Sequence, residues 1–114
     1  MSKIRVKVTI KNNEVNDTLE TNAIMQDEII KYQEQDDTKV IYDYSKKKLV
    51  RDNNQMKMTY YFDNESESSI LVKEYDRYIK PIIKTDSIRR SINDIEIKYS
   101  IENEKFIYRI EEVK

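Results

Sequence analysis

Strict alternation of apolar and polar side chains is the feature that most limits what this chain can fold into. Every second residue is apolar across residues 4–10, 95–101 and 106–110. A period of two places one face of a strand in a core and the other face in solvent. The alternating positions hold mainly isoleucine, valine and tyrosine, which strands favour. All of these segments are therefore predicted to be strands.

Further strands are predicted between these segments, because short apolar runs are separated by polar clusters at regular intervals. They are placed at residues 18–25, 28–34, 38–44, 47–51, 56–62, 68–75 and 78–85. The segment 86–92 fits either a short helix or a bent strand that joins its neighbours. The sequence does not choose between these two interpretations.

The whole pattern predicts an all-β fold. The 114 residues are the size of one domain, and no repeat or linker divides them. We therefore expect residues 1–114 to form a single small antiparallel β-barrel of about ten strands, within a range of eight to ten, with at most one short helix. A sandwich is the alternative, and closure into a barrel has the advantage of removing exposed strand edges.

The absence of three residue types excludes much chemistry. The chain has no Gly, His or Cys. Thiolate nucleophiles, disulfides and histidine triads therefore cannot form, and glycine-dependent phosphate loops are also excluded. We expect no cofactor and no metal, and a role without catalysis is favoured, since an enzyme would have to rely on carboxylates, Tyr, Lys and Arg. Without glycine, Asn and Asp are expected to supply the positive φ angles of tight turns, at 12–13, 53–54, 63–64 and Asn103.

A likeness to a known family is carried by several strand segments. They are Leu49-Val50-Arg51-Asp52-Asn53, Met56-Lys57-Met58, Ile83-Lys84-Thr85 and Ile95-Glu96-Ile97-Lys98-Tyr99-Ser100-Ile101. Through them the chain resembles the YwiB-like proteins, a bacterial family of unknown function, over about residues 6–113. Where that family usually has glycine, this chain has Ala23, Asn53 and a residue near Pro81. The resemblance implies a calycin (lipocalin-type) barrel, and it implies no activity.

Tyrosine is unusually frequent among the aromatic residues, with nine Tyr against two Phe. The candidate ligand-binding residues are Tyr42, Tyr44, Tyr60, Tyr75 and Tyr99, which together with Tyr108 are assigned to predicted strands. Several fall at inward positions, where rings and hydroxyls would line an apolar cavity with a few polar groups. The alternative is a filled core in which each hydroxyl finds a backbone or water partner.

Arg51 is the candidate charged residue of the same site. It shares a strand face with Leu49, at the end of a short strand. If it points inward, its guanidinium needs a carboxylate or a bound anion, because an unpaired buried charge is very costly. The partner is either a ligand carboxylate or phosphate, or an Asp or Glu of the chain itself.

Charge and hydropathy narrow the range of partners. The 21 basic residues are balanced by 22 acidic ones, which argues against a dedicated nucleic-acid-binding protein. The basic runs 46–48 and 89–90 and the acidic runs 36–37 and 63–67 are interpreted as solvated turns rather than as phosphate or calcium sites. No apolar run reaches the length of a signal peptide or a membrane helix, so a cytoplasmic location and no membrane contact are expected.

Together these observations predict a non-enzymatic protein that holds a small, partly apolar or anionic ligand inside a β-barrel. The alternative is a structural or interaction module that acts through a protein partner or as a homodimer. This alternative is favoured by one strand in which Ile41 faces away from Val40, Tyr42 and Tyr44, so that both faces carry apolar residues.

Overall fold

The computed structural model describes residues 2–114, and strands account for most of them. The strands are β1 (Ser2–Lys11), β2 (Asn16–Gln26), β3 (Ile29–Gln33), β4 (Lys39–Asp43), β5 (Lys48–Asp52), β6 (Met56–Tyr61), β7 (Glu65–Glu67), β8 (Ser69–Val72), β9 (Arg77–Ile79), β10 (Ile82–Arg90), β11 (Ile95–Ile101) and β12 (Glu104–Glu112). Residues 2–114 contain no helix, and so no helix that could cross a membrane. The predicted all-β class is confirmed.

The strands form one antiparallel sheet that curls into a half-barrel. Their order is β7-β10-β11-β12-β1-β2-β3-β4-β5-β6-β8-β9. Most neighbours in space are also neighbours along the chain, which is the arrangement that short hairpin connections produce. In the middle of the sheet, β1 pairs with β2 on one side and with β12 on the other. There the pair β1–β12 is the exception, because it joins the two ends of the chain.

The number of strands is larger than the predicted eight to ten, because two long strands are each interrupted. Ser68 separates β7 from β8, and Lys80 and Pro81 separate β9 from β10. Proline lacks a backbone N–H and therefore cannot donate to the ladder of a sheet. The pairing nevertheless continues across the break, since the Ser68 amide donates to the Pro81 carbonyl at 2.9 Å. The segments β7–β8 and β9–β10 thus follow one hairpin register.

The alternation found in the sequence determines which side chains form the core. Ile97 and Tyr99 lie on the same inner face, as predicted, and both are buried. Fully buried aliphatic residues such as Ile97 and Ile110 each contribute about 1.5–3 kcal/mol to stability. The other fully buried side chains are Val6, Ile30, Thr38, Val40, Tyr42, Phe62, Ile83 and Tyr108.

The ambiguous segment 86–92 begins as a bent strand. β10 runs through Arg90, and its register against β11 shifts between Thr85 and Ser87. One extra residue in a strand of this kind bends it and increases its twist. The bend returns Ile88 to a position opposite Ile97. Of the two interpretations left open by the sequence, the bent strand is correct.

Positive φ angles occur at turns, but only partly at the predicted residues. Asn64 and Asn103 have φ of 56° and 68°, as expected. Asn12 and Asn53 act differently, because each side-chain oxygen accepts hydrogen bonds from the amides two and three residues further on. The remaining positive angles are at Asp27, Glu28, Asp37, Lys47, Asp76 and Glu102.

Candidate functional site

A cavity of about 350 Å³ opens at one end of the sheet. Its walls come from β1, β2, β5 and the turn between β3 and β4. A volume of this size is at the lower end of the range for small-molecule sites. The lining residues are Val8, Ile10, Asp17, Thr18, Leu19, Glu34, Gln35, Asp36 and Arg51.

The strand register brings the apolar wall of this cavity together. Val8 lies opposite Leu19 in the β1–β2 pair, and Ile10 lies opposite Asp17. Val8 is buried, whereas Ile10 and Leu19 are half-buried. The inward-facing side chains of the β1–β2 hairpin are therefore more exposed to solvent near its turn, and the cavity lies there.

Arg51 enters the cavity from β5 and is bound by Glu34. Its Nε and Nη2 donate to the same carboxylate oxygen, Glu34 Oε1, at 3.1 and 2.5 Å. Its Nη1 lies 4.0 Å from the sulfur of Met58. Both hydrogen bonds from Arg51 fall on Oε1 of Glu34, which leaves Oε2 as an acceptor, while Nη1 of Arg51 contacts only the weak acceptor sulfur of Met58.

The environment of Arg51 keeps it charged. Burial alone would lower the pKa of its guanidinium, but the hydrogen bonds that it donates to Glu34 and the negative charge of that side chain outweigh burial and raise the pKa. The side chains of Arg51 and Glu34 are 28% and 16% exposed. The sequence left open whether a ligand or the chain would supply the partner of Arg51, and the structure supplies Glu34.

Two tyrosine hydroxyls lie close to this ion pair. The hydroxyl oxygens of Tyr32 and Tyr108 are 2.6 Å apart, and both residues are buried. Burial raises the pKa of both phenols, although the hydrogen bond with Tyr108 and the positive charge of Arg51 act in the opposite direction on Tyr32. Both hydroxyls therefore remain protonated at neutral pH, with one donating to the other.

Carboxyl groups predominate among the charged residues of the lining. Asp17, Glu34 and Asp36 face a single guanidinium, that of Arg51. Asp36 accepts a hydrogen bond from the Thr38 hydroxyl at 2.7 Å, and this bond lowers the pKa of Asp36. The cavity thus presents more hydrogen-bond acceptors than donors to a ligand.

Of the predicted site residues, Arg51 lines the cavity, and none of the five predicted tyrosines does. Tyr42, Tyr44, Tyr60 and Tyr99 are buried in an aromatic cluster instead. The ring centroids of Tyr42 and Tyr44 are 5.0 Å apart at 79°, and those of Tyr60 and Tyr99 are 6.2 Å apart at 71°. Edge-to-face pairs of this kind add to the stability gained from burial. Their contact with a ligand stays a prediction.

Tyr75 requires a correction. The sequence placed it at the end of a strand spanning residues 68–75, but it lies in the turn between β8 and β9 and is 68% exposed. The strand ends earlier because the chain reverses through a four-residue turn in which Asp76 has φ of 49°. Alternation alone does not mark this turn, which contains neither Gly nor Asn.

Sequence reasoning missed Glu34 and Tyr32 as members of the site, and it placed Tyr108 on a strand without selecting it as a site residue. The sequence did contain a signal for Glu34 and Tyr32. Ile30, Tyr32 and Glu34 are spaced by two, so extending the inward face of β3 by one step would have pointed Glu34 into the same interior as Tyr32. The pairing of Glu34 with Arg51 depended on the sheet register and was not visible in the sequence.

The charged turns considered in the sequence have local partners. Arg90 is 2.6 Å from Glu28 and stacks over the Tyr44 ring at 4.3 Å. Lys48 lies over the ring of Tyr61 at 5.9 Å. Among residues 2–114, no group of three or more acidic side chains converges in a way that could hold a metal ion.

The curled sheet and its end cavity define an all-β protein with a half-barrel fold. No protein family and no curated protein matches the sequence. Among solved structures, the chain is similar to the crystal structure of ywiB protein from Bacillus subtilis. The two share 15% sequence identity and a TM-score of 0.62, with 98% of this chain and 91% of that chain covered. The chain therefore has a YwiB-like fold, and at this identity the likeness extends to the fold alone.

Proposed function

We propose that this protein is a non-enzymatic binding protein that holds a small, partly apolar ligand in the cavity beside Arg51 and Glu34. One observation carries the proposal. A charged pair with unused hydrogen-bonding capacity borders a cavity whose other wall is formed by Val8, Ile10 and Leu19. Small-molecule sites typically combine apolar walls with a few polar groups that fix orientation.

The proposal includes closure of the half-barrel into a calycin-type barrel. Support comes from the junction at Ser68, where β7 continues into β8. β7 pairs with β10 near one margin of the strand order, and β8 pairs with β6 near the other. A closed ring encloses an interior, and in a barrel of this size that interior holds side chains or one small ligand. The cavity is then the mouth of the barrel.

The polar groups at the cavity favour a ligand that both donates and accepts. Nη1 of Arg51 is oriented towards the weak acceptor Met58, so a ligand oxygen can replace that contact. Oε2 of Glu34, together with Asp17 and Asp36, favours a donor group on the ligand. A short apolar chain ending in an amide or a similar group satisfies both requirements. A simple anion gains less, because Glu34 already neutralises Arg51.

The same geometry supports the proposed role without catalysis. General acid–base catalysis is most efficient when the pKa of the catalytic group lies near the operating pH. The Arg51 guanidinium stays charged, and its contact with Glu34 holds that carboxylate in an ion pair. These groups are therefore proposed to orient a ligand rather than to transfer protons.

Thermal shift with a set of short-chain amides, alcohols and carboxylates tests the proposal. A ligand present at about 100 times its Kd adds about 2.7 kcal/mol to stability and raises the Tm. Leu19→Trp fills the cavity and should abolish that rise. Glu20→Trp is the matched control, because Glu20 lies next to Leu19 but is exposed and does not line the cavity. A rise that persists in Leu19→Trp would place the ligand elsewhere and contradict the proposal.

A second candidate function is self-association through the hairpin β8–β9. Tyr78, Ile79 and Ile82 are 61%, 56% and 46% exposed on this hairpin and at the start of β10. Clustered exposed apolar residues of this kind are typical of contact surfaces. Sedimentation should then show a dimer that Ile79→Ser converts to monomer. A monomer at high concentration for the unaltered chain would exclude this alternative.

A further inference from the structure

A groove of about 790 Å³ crosses the outer side of β1, β2, β3 and β4. It is separate from the end cavity, because the two share no lining residue and the exposed side chains of the groove project from the outer face of these strands. The outward-facing residues that form it include Lys3, Asn22, Ile24, Lys31, Lys39 and Ile41. Its floor is the part of the sheet whose side chains, such as Tyr32 and Val40, point inward and are buried.

The strand register builds an alternating row along this groove. Lys3 lies opposite Ile24, Ile24 lies opposite Lys31, and Lys31 lies opposite Ile41. Adjacent strands are about 4.8 Å apart, so the two lysines of the row are about 10 Å apart at the backbone. Ile24 and Ile41 are 37% and 36% exposed, although both lie in the middle of strands.

All charged side chains that line the groove are positive. Lys3, Lys31 and Lys39 line it, and no Asp or Glu does. Within residues 2–114 none of these lysines forms an ion pair. The carboxylate opposite Lys39, that of Asp52, is bound instead by Lys73 at 2.8 Å. In a chain with 22 acidic and 21 basic residues, this is a local separation of charge.

We infer that this groove binds an extended acidic segment of another polypeptide, with its carboxylates on the lysines and its apolar side chains on Ile24 and Ile41. Charge complementarity favours an acidic partner. The separation of Lys3 from Lys31 suits several spaced charges better than a single headgroup. Binding of single-stranded nucleic acid usually depends on aromatic rings for stacking, and the groove offers isoleucine.

A short fluorescent peptide in which glutamate and leucine alternate is the probe, and anisotropy measures its binding. The peptide should bind the unaltered protein, and affinity should fall as salt is added. Lys31→Glu should weaken binding by at least about tenfold, since it replaces an attraction by a repulsion. Ile41→Ser should weaken it several-fold without changing the net charge. Lys98→Glu is the matched control, because Lys98 is also an exposed lysine in mid-strand and forms no ion pair with residues 2–114.

Several results would overturn this inference. They are equal binding of a lysine–leucine peptide, equal loss of affinity in Lys98→Glu and Lys31→Glu, and displacement of the peptide by an oligonucleotide. Self-association of the unaltered protein that Lys31→Glu abolishes would assign the groove to a second copy and would also contradict it. Circular dichroism of each variant verifies the fold. Leu19→Trp should bind the peptide normally, which separates this site from the end cavity.

Discussion

Buried tyrosine hydroxyls fall into two groups with opposite energetic consequences. Tyr32 and Tyr108 satisfy each other through a hydrogen bond of 2.6 Å. The hydroxyls of Tyr42 and Tyr44 are buried and have no hydrogen-bond partner in the structure. A buried polar group without a partner costs about 1–3 kcal/mol, whereas a hydrogen bond between two buried groups contributes about 0.5–1.5 kcal/mol to stability.

Tyr42→Phe should therefore raise the free energy of unfolding by about 1 kcal/mol, because it removes an unsatisfied group and leaves the ring in place. Tyr108→Phe should lower it by about 1–3 kcal/mol, since it leaves the Tyr32 hydroxyl alone. The double variant Tyr32→Phe with Tyr108→Phe should recover most of that loss. Urea unfolding measures all three, and a destabilised Tyr42→Phe would show that its hydroxyl has a partner.

The Arg51–Glu34 pair is also expected to contribute to stability. Arg51→Met keeps much of the side-chain volume and leaves the Glu34 carboxylate half-buried and unpaired, so we expect a loss of about 2 kcal/mol. Arg77→Met is the control, because Arg77 is exposed on β9. Adding Glu34→Met to Arg51→Met should restore part of the loss. Equal unfolding midpoints for the two single variants would show that the pair adds nothing.

At the scale of single elements, the turns carry backbone strain that glycine would relieve. Lys47 has φ of 53° in the turn between β4 and β5. A left-handed conformation costs a residue with a Cβ about 1–2 kcal/mol, and only glycine escapes that cost. The chain contains no glycine, so each of these turns is tolerated because the flanking strands hold it.

Lys47→Gly should stabilise the protein by about 0.5–1 kcal/mol, the strain relieved minus the extra entropy of the unfolded chain. Lys46→Gly, one residue earlier and without a positive φ, should destabilise it by a similar amount. Thermal unfolding of the pair compares them directly. If both substitutions changed the stability in the same direction, the strain argument would be contradicted.

The same elements show what the sequence could and could not predict. Alternation located the strands and their inner faces, because the side-chain period of a strand is fixed by its geometry. It missed the breaks at Ser68 and Pro81 and the positive φ of Glu28 and Lys47, which tertiary pairing imposes on residues with no local preference for them. Arg51 was predicted as a site residue from its position on a strand. Its partner, seventeen positions away, became visible only through the register.

At the scale of the whole molecule, the buried tyrosines make stability depend on alkaline pH. Burial raises the pKa of Tyr44 to about 12 and raises that of Tyr99 further. A phenol with a raised folded-state pKa contributes stability below pH 10, and that contribution is lost as the pH rises towards the folded-state value. Burial also raises the pKa of Tyr32, Tyr42, Tyr60 and Tyr108.

We therefore expect the unfolding midpoint to fall steadily above pH 10. Tyrosinate absorbance from these six residues should rise together with the loss of the strand signal in circular dichroism, because they ionise when the fold opens. Tyr44→Phe should reduce the pH dependence, whereas Tyr78→Phe, at an exposed position, should leave it unchanged. Ionisation of these six tyrosines while the circular dichroism signal is still intact would contradict this prediction.

The hairpin interrupted at Ser68 and Pro81 links parts of the sheet that are far apart in strand order. One of its arms is hydrogen-bonded to β6, and the other is hydrogen-bonded to β11. Unfolding that starts on the β6 side or on the β11 side must therefore disrupt the same hairpin. Amide hydrogen exchange should consequently show β6 and β11 opening as one cooperative unit with a shared protection factor, rather than as two independent edges.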